Sequence, residues 1–273
     1  MGLKTNLAIA AGLLLLAVVV VVPPATLLSP RTSQFRATFR QKCQAFPETR
    51  ERCEQLLSMF EEAYVGQDPC NFPDETYHPL FVESPFTHSC DKTMFWSDTK
   101  DLVHQFCKGR NHFISLENTL LGNIMDGLTW CGKKSSKDTF FYLCEKCDIN
   151  TVSSFWVRAS AEFADYACGN ASVLLNAAIS KPFDPTSYFG AVEVRKLAFP
   201  RVQSLTVILV IKNDNADCSH ESLQVLRDIL DPSITLHCRS VTESKILECV
   251  ESGITTDACW TQNYNLSRNI LTT

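Results

Sequence analysis

Leu205-Thr206-Val207-Ile208-Leu209-Val210-Ile211 decides the class of fold. An unbroken apolar run rich in β-branched side chains reads as a strand covered on both faces, which is the situation of a parallel sheet. The residues after it agree. His220 to Leu230 reads as a helix, Ile234 to Cys238 as a strand and Glu243 to Val250 as another helix. Such alternation is the pattern of parallel strands joined by crossovers. Ala191-Val192-Glu193-Val194 is expected to be a further β run just upstream.

Before Pro185 the periodicity is helical. Leu56, Leu57, Phe60 and Tyr64 make a stripe between Arg50 and Tyr64, ended by Asp68-Pro69. Ser97 followed by Asp98 is placed to cap a helix carrying Leu102, Val103 and Phe106. Asn150 or Thr151 can cap another from Val152 to Ala167, with Gly169 at its C-terminal end and Trp156, Ser160 and Phe163 along one face. The expected architecture is α+β or α/β, with a mainly helical lobe over about 43–180 and an α/β lobe over about 181–262. A small parallel sheet flanked by helices, disulfide staples and an active cleft between the lobes complete it.

Ser115 to Gly132 gathers Glu117, Asp126, Trp130 and Cys131 in one short stretch. Leu116, Leu120, Leu121 and Ile124 recur at helical spacing. On an unbroken helix nine steps of about 100° would put Glu117 and Asp126 on opposite faces. Both can line one pocket only if the chain turns near Gly122 or Gly127.

The 273 residues are 45% hydrophobic, enough for a large core. A formal charge of −5 without Lys/Arg blocks argues against a nucleic-acid binder. Small molecules or proteins are the expected partners. Leu7 to Val22 is an apolar run behind Lys4, an entry signal for the secretory pathway with no small-x-small cleavage site after it. The expectation is a cytoplasmic tail over 1–6, a signal-anchor over 7–28, a stalk over 29–42 that is either a loose linker or a first helix, and an ectodomain over 43–273. The expected protein is a single-pass type II protein of the cell membrane with an extracellular C-terminal domain, a cleaved and secreted form being the alternative. Thirteen cysteines behind such a signal imply six disulfides and one odd thiol. Cys144-x-x-Cys147 has no second pair at zinc spacing, so no metal is expected. Asn170-Ala171-Ser172 and Asn265-Leu266-Ser267 are glycosylation acceptors. The nucleophile elbow, the zincin motif, the P-loop and the dinucleotide fingerprint are all missing from the sequence.

Met94-Phe95-Trp96-Ser97 with Lys100 to Phe106, then Leu116 to Gly122 with Leu128 to Gly132, resemble the ADP-ribosyl cyclase/cyclic ADP-ribose hydrolase family. Ser154-Phe155-Trp156, Phe163-Ala164, Ala167-Cys168 and Phe189 to Val194 continue the likeness in the same order, so that it covers Cys43 to Cys259. The resemblance implies an enzyme that cleaves the nicotinamide–ribose bond of NAD to give ADP-ribose and cyclic ADP-ribose. Hydrolysis of cyclic ADP-ribose, base exchange on NADP and a homodimer are further expectations, and NAD is substrate, with no cofactor.

By the same resemblance Glu193 matches the catalytic glutamate, and Trp96 and Trp156 match the tryptophans at the nicotinamide end. Glu117 matches the acid that biases hydrolysis against cyclisation. Asp126, Trp130 and Ser160 match further substrate-contacting positions. Tyr188 stands where a small polar residue is expected, an aromatic choice closer to the mollusc cyclase, and Asp98 replaces a basic residue. The implied bridges are Cys43–Cys53, Cys70–Cys147, Cys90–Cys168, Cys131–Cys144, Cys218–Cys238 and Cys249–Cys259, leaving Cys107 odd. Local pattern alone reads the tryptophans as core and Glu193 as the solvent-facing residue of a strand. The alternative function is a non-catalytic surface receptor or adhesion module of the same fold.

Overall fold

The computed structural model describes residues 30–108, 112–137, 147–212 and 217–261. Its centre is a four-stranded sheet in the order β1-β2-β3-β4, with β1 spanning Met94–Ser97, β2 Gly169–Asn176, β3 Val202–Ile211 and β4 Thr235–Thr242. Every pairing is parallel, with Val173 opposite Val207 and Val207 opposite Cys238. The run that opened the sequence reading is therefore the second interior strand. Val207 and Leu209 point into one core, and Ile208 and Val210 into another across the sheet. Burial on both faces explains why the run lacks polar alternation.

Helices fill the two layers. α1 (Pro30–Gln44), α2 (Cys53–Tyr64), α3 (His78–Glu83), α5 (Leu120–Met125), α6 (Thr151–Tyr166) and α7 (Glu221–Ile229) lie with the larger core. α4 (Lys100–Phe106), α8 (Glu243–Ser252) and α9 (Ala258–Thr261) cover the other face. The larger core is aromatic. Phe60 stacks on Tyr77 at 5.9 Å between ring centroids and meets Trp130 edge-on at 5.1 Å, arrangements that suit the ring quadrupoles. α2 buries Leu56, Leu57, Phe60 and Tyr64, the stripe expected from its sequence.

Of the two readings of 29–42 the helix is found, and α1 buries Phe35 and Phe39 in the core rather than standing off it. β1 and β2 both come from the half expected to be mainly helical, so the sheet draws strands from either side of residue 180. Three local expectations are corrected. Ala191–Val194 is not a strand but a helical coil, Phe189–Glu193 leading into Val194–Lys196. Gly190 packs there against backbone, where a Cβ would come within 2.2 Å of the Asp184 carbonyl. Ser97 ends β1, and the cap position of α4 is Thr99. Gly169 does not close α6 but opens β2 at a positive φ of 71°, while Asn150 caps the helix start as expected.

Five disulfides join Cys43 to Cys53, Cys70 to Cys147, Cys90 to Cys168, Cys218 to Cys238 and Cys249 to Cys259. Cys131 is also disulfide-bonded, and its implied partner Cys144 lies outside the described residues. Cys107 is the buried free thiol. Asn265 and the apolar run 7–22 lie outside the described residues as well. Among the described residues no helix is long and apolar enough to cross a membrane.

Candidate active site

A cavity of about 530 Å³ opens at the C-terminal end of β1, the end where parallel sheets place ligands. Strand geometry brings Trp96, Ser97 and Asp98 to its wall, and Asp98 turns the chain away at a positive φ of 55°. α6 presents Trp156, Ser160 and Phe163 from one face, as their spacing requires. The coil after Pro185 supplies Ser187, Tyr188 and Glu193, and the segment around α5 supplies Leu116, Glu117, Asp126 and Gly127.

Glu117 and Asp126 do share the cavity, and the chain turns to allow it. The break falls at Thr119, between a helical turn over Leu116–Asn118 and α5, with a second turn at Gly127. Gly122 serves close packing instead, since a Cβ there would lie 1.9 Å from the Leu116 carbonyl oxygen. Glu117 is held from three sides. Trp96 Nε1 donates to its two carboxylate oxygens at 3.2 and 3.1 Å, and Ser115 Oγ donates to Oε2 at 2.9 Å. His104 Nε2 stands 3.8 Å from Oε2, an ion-pair contact too long for a hydrogen bond. The Glu117 carboxylate raises the His104 pKa, against the opposing effect of burial. Asp126 receives Lys100 Nζ at 2.7 Å.

Glu193 has a different environment. It is 6% exposed, and loss of water pushes its carboxyl up to about 8, with a hydrogen bond from Ser160 pulling down and the nearby Glu117 charge pushing up. Among the described residues five acidic side chains line the cavity, Asp98, Glu117, Asp126, Asp184 and Glu193, against Lys100 as its one lysine or arginine. Two half-buried indoles, Trp96 and Trp156, stand among them. This chemistry suits a flat cation. A carboxylate set beside an electron-poor carbon can stabilise positive charge developing there or bond to it.

Trp130 is not brought to this cavity. It is 1% exposed, donates from Nε1 to the Tyr77 hydroxyl at 2.9 Å and packs among Phe60 and Phe155. An indole whose N–H finds a buried partner is a core residue. Asn170 is far from the site chemistry too. Its Nδ2 donates to Asp91 Oδ1 at 2.9 Å and its Oδ1 accepts from Ser204 Oγ at 2.7 Å. Sequence reasoning missed Ser115, His104 and Lys100 as site groups. The only available signal was their helical or turn proximity to Trp96 and Glu117.

Comparison with known proteins agrees with this geometry. A family model described as ADP-ribosyl cyclase matches residues 32–258. Mouse ADP-ribosyl cyclase/cyclic ADP-ribose hydrolase 1 is 34% identical over 92% of this chain and 89% of its own length. Porcine CD38 complexed with a covalent intermediate, ribo-F-ribose-5'-phosphate, superposes with a TM-score of 0.70 at 37% identity, covering 76% of this chain and 96% of that one. A second CD38 structure, described as evidence for a conformationally flexible covalent enzyme–substrate complex, gives 0.71 at 32% identity over 79% of this chain and 94% of that one. A helix-flanked parallel sheet shared with these structures and a family match running almost from α1 to α9 together make this chain a member of the ADP-ribosyl cyclase family.

Proposed function

We propose that this chain is an NAD glycohydrolase and ADP-ribosyl cyclase in which Glu193 faces the reacting ribose carbon. The observation that carries the reading is a desolvated carboxyl, 6% exposed, lining an acid-rich cavity with two indoles. The nicotinamide of NAD is already a cation, so its departure as a neutral base needs no general acid. The electron pair of the breaking C–N bond goes to the ring nitrogen. What remains is an electron-poor ribose carbon, which a Glu193 carboxylate stabilises or bonds to.

Burial holds Glu193 protonated near neutral pH in the empty cavity. A pyridinium ring arriving between Trp96 and Trp156 changes that, because an adjacent positive charge favours the carboxylate. Stacking and cation–π attraction contribute about 1–2 kcal/mol in such a desolvated place. Water then attacks the ribose carbon to give ADP-ribose and a proton, or the adenine ring of the same molecule attacks to give the cyclic product. Glu117, tied to Trp96, sits where it can bias that division. Ser97, Thr186, Ser187 and Lys100 line the same cavity and offer donors to the substrate's diphosphate and ribose. NADP and cyclic ADP-ribose are further substrates in this reading.

The apolar run 7–22, with disulfides on the far side of it, supports a type II arrangement with the enzyme outside the cytoplasm. Chromatography of products after incubation with NAD tests the reaction. Free nicotinamide with ADP-ribose or cyclic ADP-ribose from wild type, and none from Glu193→Gln, is the expected result. A folded wild-type protein that releases no nicotinamide overturns the proposal.

A further inference from the structure

A second cavity, of about 520 Å³, lies behind the turn that carries Glu117. Ile114, Asn118, Thr119, Leu120 and Leu121 form one wall of it, and Pro85, Phe86, His88 and Lys92 another. Its chemistry is the reverse of the catalytic cavity's. Among the described residues no carboxylate lines it, although the chain carries a net −5. The cations on its wall are Arg52 and Lys92. Arg52 is paired with Glu83, whereas no ion pair engages Lys92 among the described residues. His88 adds no charge, because burial and the neighbouring Lys92 push its pKa down to about 4. Apolar surface from Phe46, Pro85, Phe86, Ile114 and Leu120 accompanies the single unpaired ammonium. Thr49, Ser84, Thr87, Ser89, Asn118 and Thr119 add hydroxyl and amide groups, so the cavity has the size of a small-molecule site and offers one face for an apolar body and several donors for a polar group.

The cavity is also wired to the catalytic one. Asn118 Oδ1 lies 3.0 Å from Ser115 Oγ, and the same Oγ lies 2.9 Å from Glu117 Oε2. A hydroxyl has one proton to donate, so the two acceptors compete for it. Glu117 in turn accepts from Trp96 Nε1. Asn118 Oδ1 also accepts from the Ser115 N–H at 3.0 Å, so its amide is held in place by that turn. An anion in the second cavity can accept only from Asn118 Nδ2, and one that turns the amide toward itself leaves the Ser115 proton to Glu117.

We infer that the second cavity binds a small anion with a flat apolar body, Lys92 receiving its charge, and that occupancy alters NAD turnover through Asn118, Ser115 and Glu117. The binding half stands on this cavity alone; the kinetic half rests on the NAD-cleaving reading above. Calorimetric titration of the full chain with 2-naphthalenesulfonate, against its neutral sulfonamide analogue, separates charge from shape. The sulfonate is expected to bind once per chain and at least tenfold more tightly than the sulfonamide. Lys92→Glu should erase that preference, and Thr87→Trp, which fills the cavity from an exposed wall position, should abolish binding of both probes. Sulfonate binding unchanged in Lys92→Glu and in Thr87→Trp overturns the site. With NAD as varied substrate, a change in kcat of twofold or more supports the coupling. A pure rise in KM places the probe in the catalytic cavity and overturns the inference, and unchanged constants with the probe bound overturn the coupling.

Discussion

Glu117 and Glu193 are the same residue type in the same cavity, yet the chain surrounds them oppositely. Glu117 sits on a hydrogen-bonded turn with Trp96, Ser115 and His104 as partners. Glu193 sits on a helical coil, stripped of water, with Ser160 as its hydrogen-bonding neighbour. The first is a carboxylate kept in place by donors. The second is a carboxyl kept neutral until a cation arrives. In the proposed reaction it is environment, rather than residue type, that separates the positioning acid from the reacting one.

Removing the reacting group should produce the largest effect. Glu193→Gln preserves shape and hydrogen bonding, and turnover of NAD should fall by about a thousandfold or more, the scale of losing a group aimed at developing charge. Glu117→Gln should instead leave nicotinamide release within about tenfold of wild type while changing the ratio of cyclic to linear product, a distinction that kcat/KM and product analysis read separately. Equal loss of both products in this variant would make the two glutamates equivalent and dissolve the contrast.

The contrast can be sharpened by pH. With the Glu193 pKa at about 8 in the free protein, kcat/KM should climb with pH until that value. The kcat profile should turn over at lower pH, because the bound pyridinium favours the carboxylate. Stability runs the other way. Between the ordinary value of 4.5 and about 8 the folded state holds a proton that the unfolded state has lost. The contribution of this group to stability therefore falls with rising pH across that window, by at most about 1.4 kcal/mol per unit, while His88, held down at about 4, contributes the opposite slope below the ordinary histidine value, so the difference between wild type and Glu193→Gln isolates the Glu193 slope. Thermal melts at pH 5, 6.5 and 8 measure it.

The smallest effect belongs to His104. Its raised pKa means that its attraction to Glu117 is fully present below the ordinary histidine value and fades as pH rises through the folded one. A partly buried contact as long as 3.8 Å is worth about 1 kcal/mol. His104→Gln should flatten any pH dependence of the product ratio above pH 6.5 without altering total turnover by more than about threefold. A ratio that still varies with pH in this variant assigns the dependence to another group.

What could be read from sequence follows from how local each cause is. β3 was legible because burial on two faces leaves a continuous apolar run. α6 was legible because Asn150 caps it and Trp156, Ser160 and Phe163 recur on one face. Val192-Glu193-Val194 imitates a strand just as well, whereas the chain coils there and packs against α6 and β1, contacts that its local pattern does not show. β1 and β2 escaped notice because Met94 to Ser97 is too short to show a period and Gly169-Asn170-Ala171-Ser172 opens β2 with small and polar residues. The site glutamates and the two cavity tryptophans were identifiable by resemblance, whereas Trp130 looks the same in sequence and belongs to the core. His104 and Ser115 gain their roles from one carboxylate that they meet only after folding.

α1 carries a consequence for the membrane arrangement proposed above. Its first residue is Pro30, and Phe35 and Phe39 lock it into the aromatic core. Seven residues, Pro23 to Ser29, separate it from Val22, where the apolar run ends. A tether of that length spans at most about 25 Å. In the proposed arrangement the catalytic body would stay within that distance of the bilayer surface, and the packing of a single helix would bias the direction from which substrate reaches the cavity. Inserting a flexible Gly/Ser segment between Leu28 and Pro30 would free that orientation without touching the chemistry.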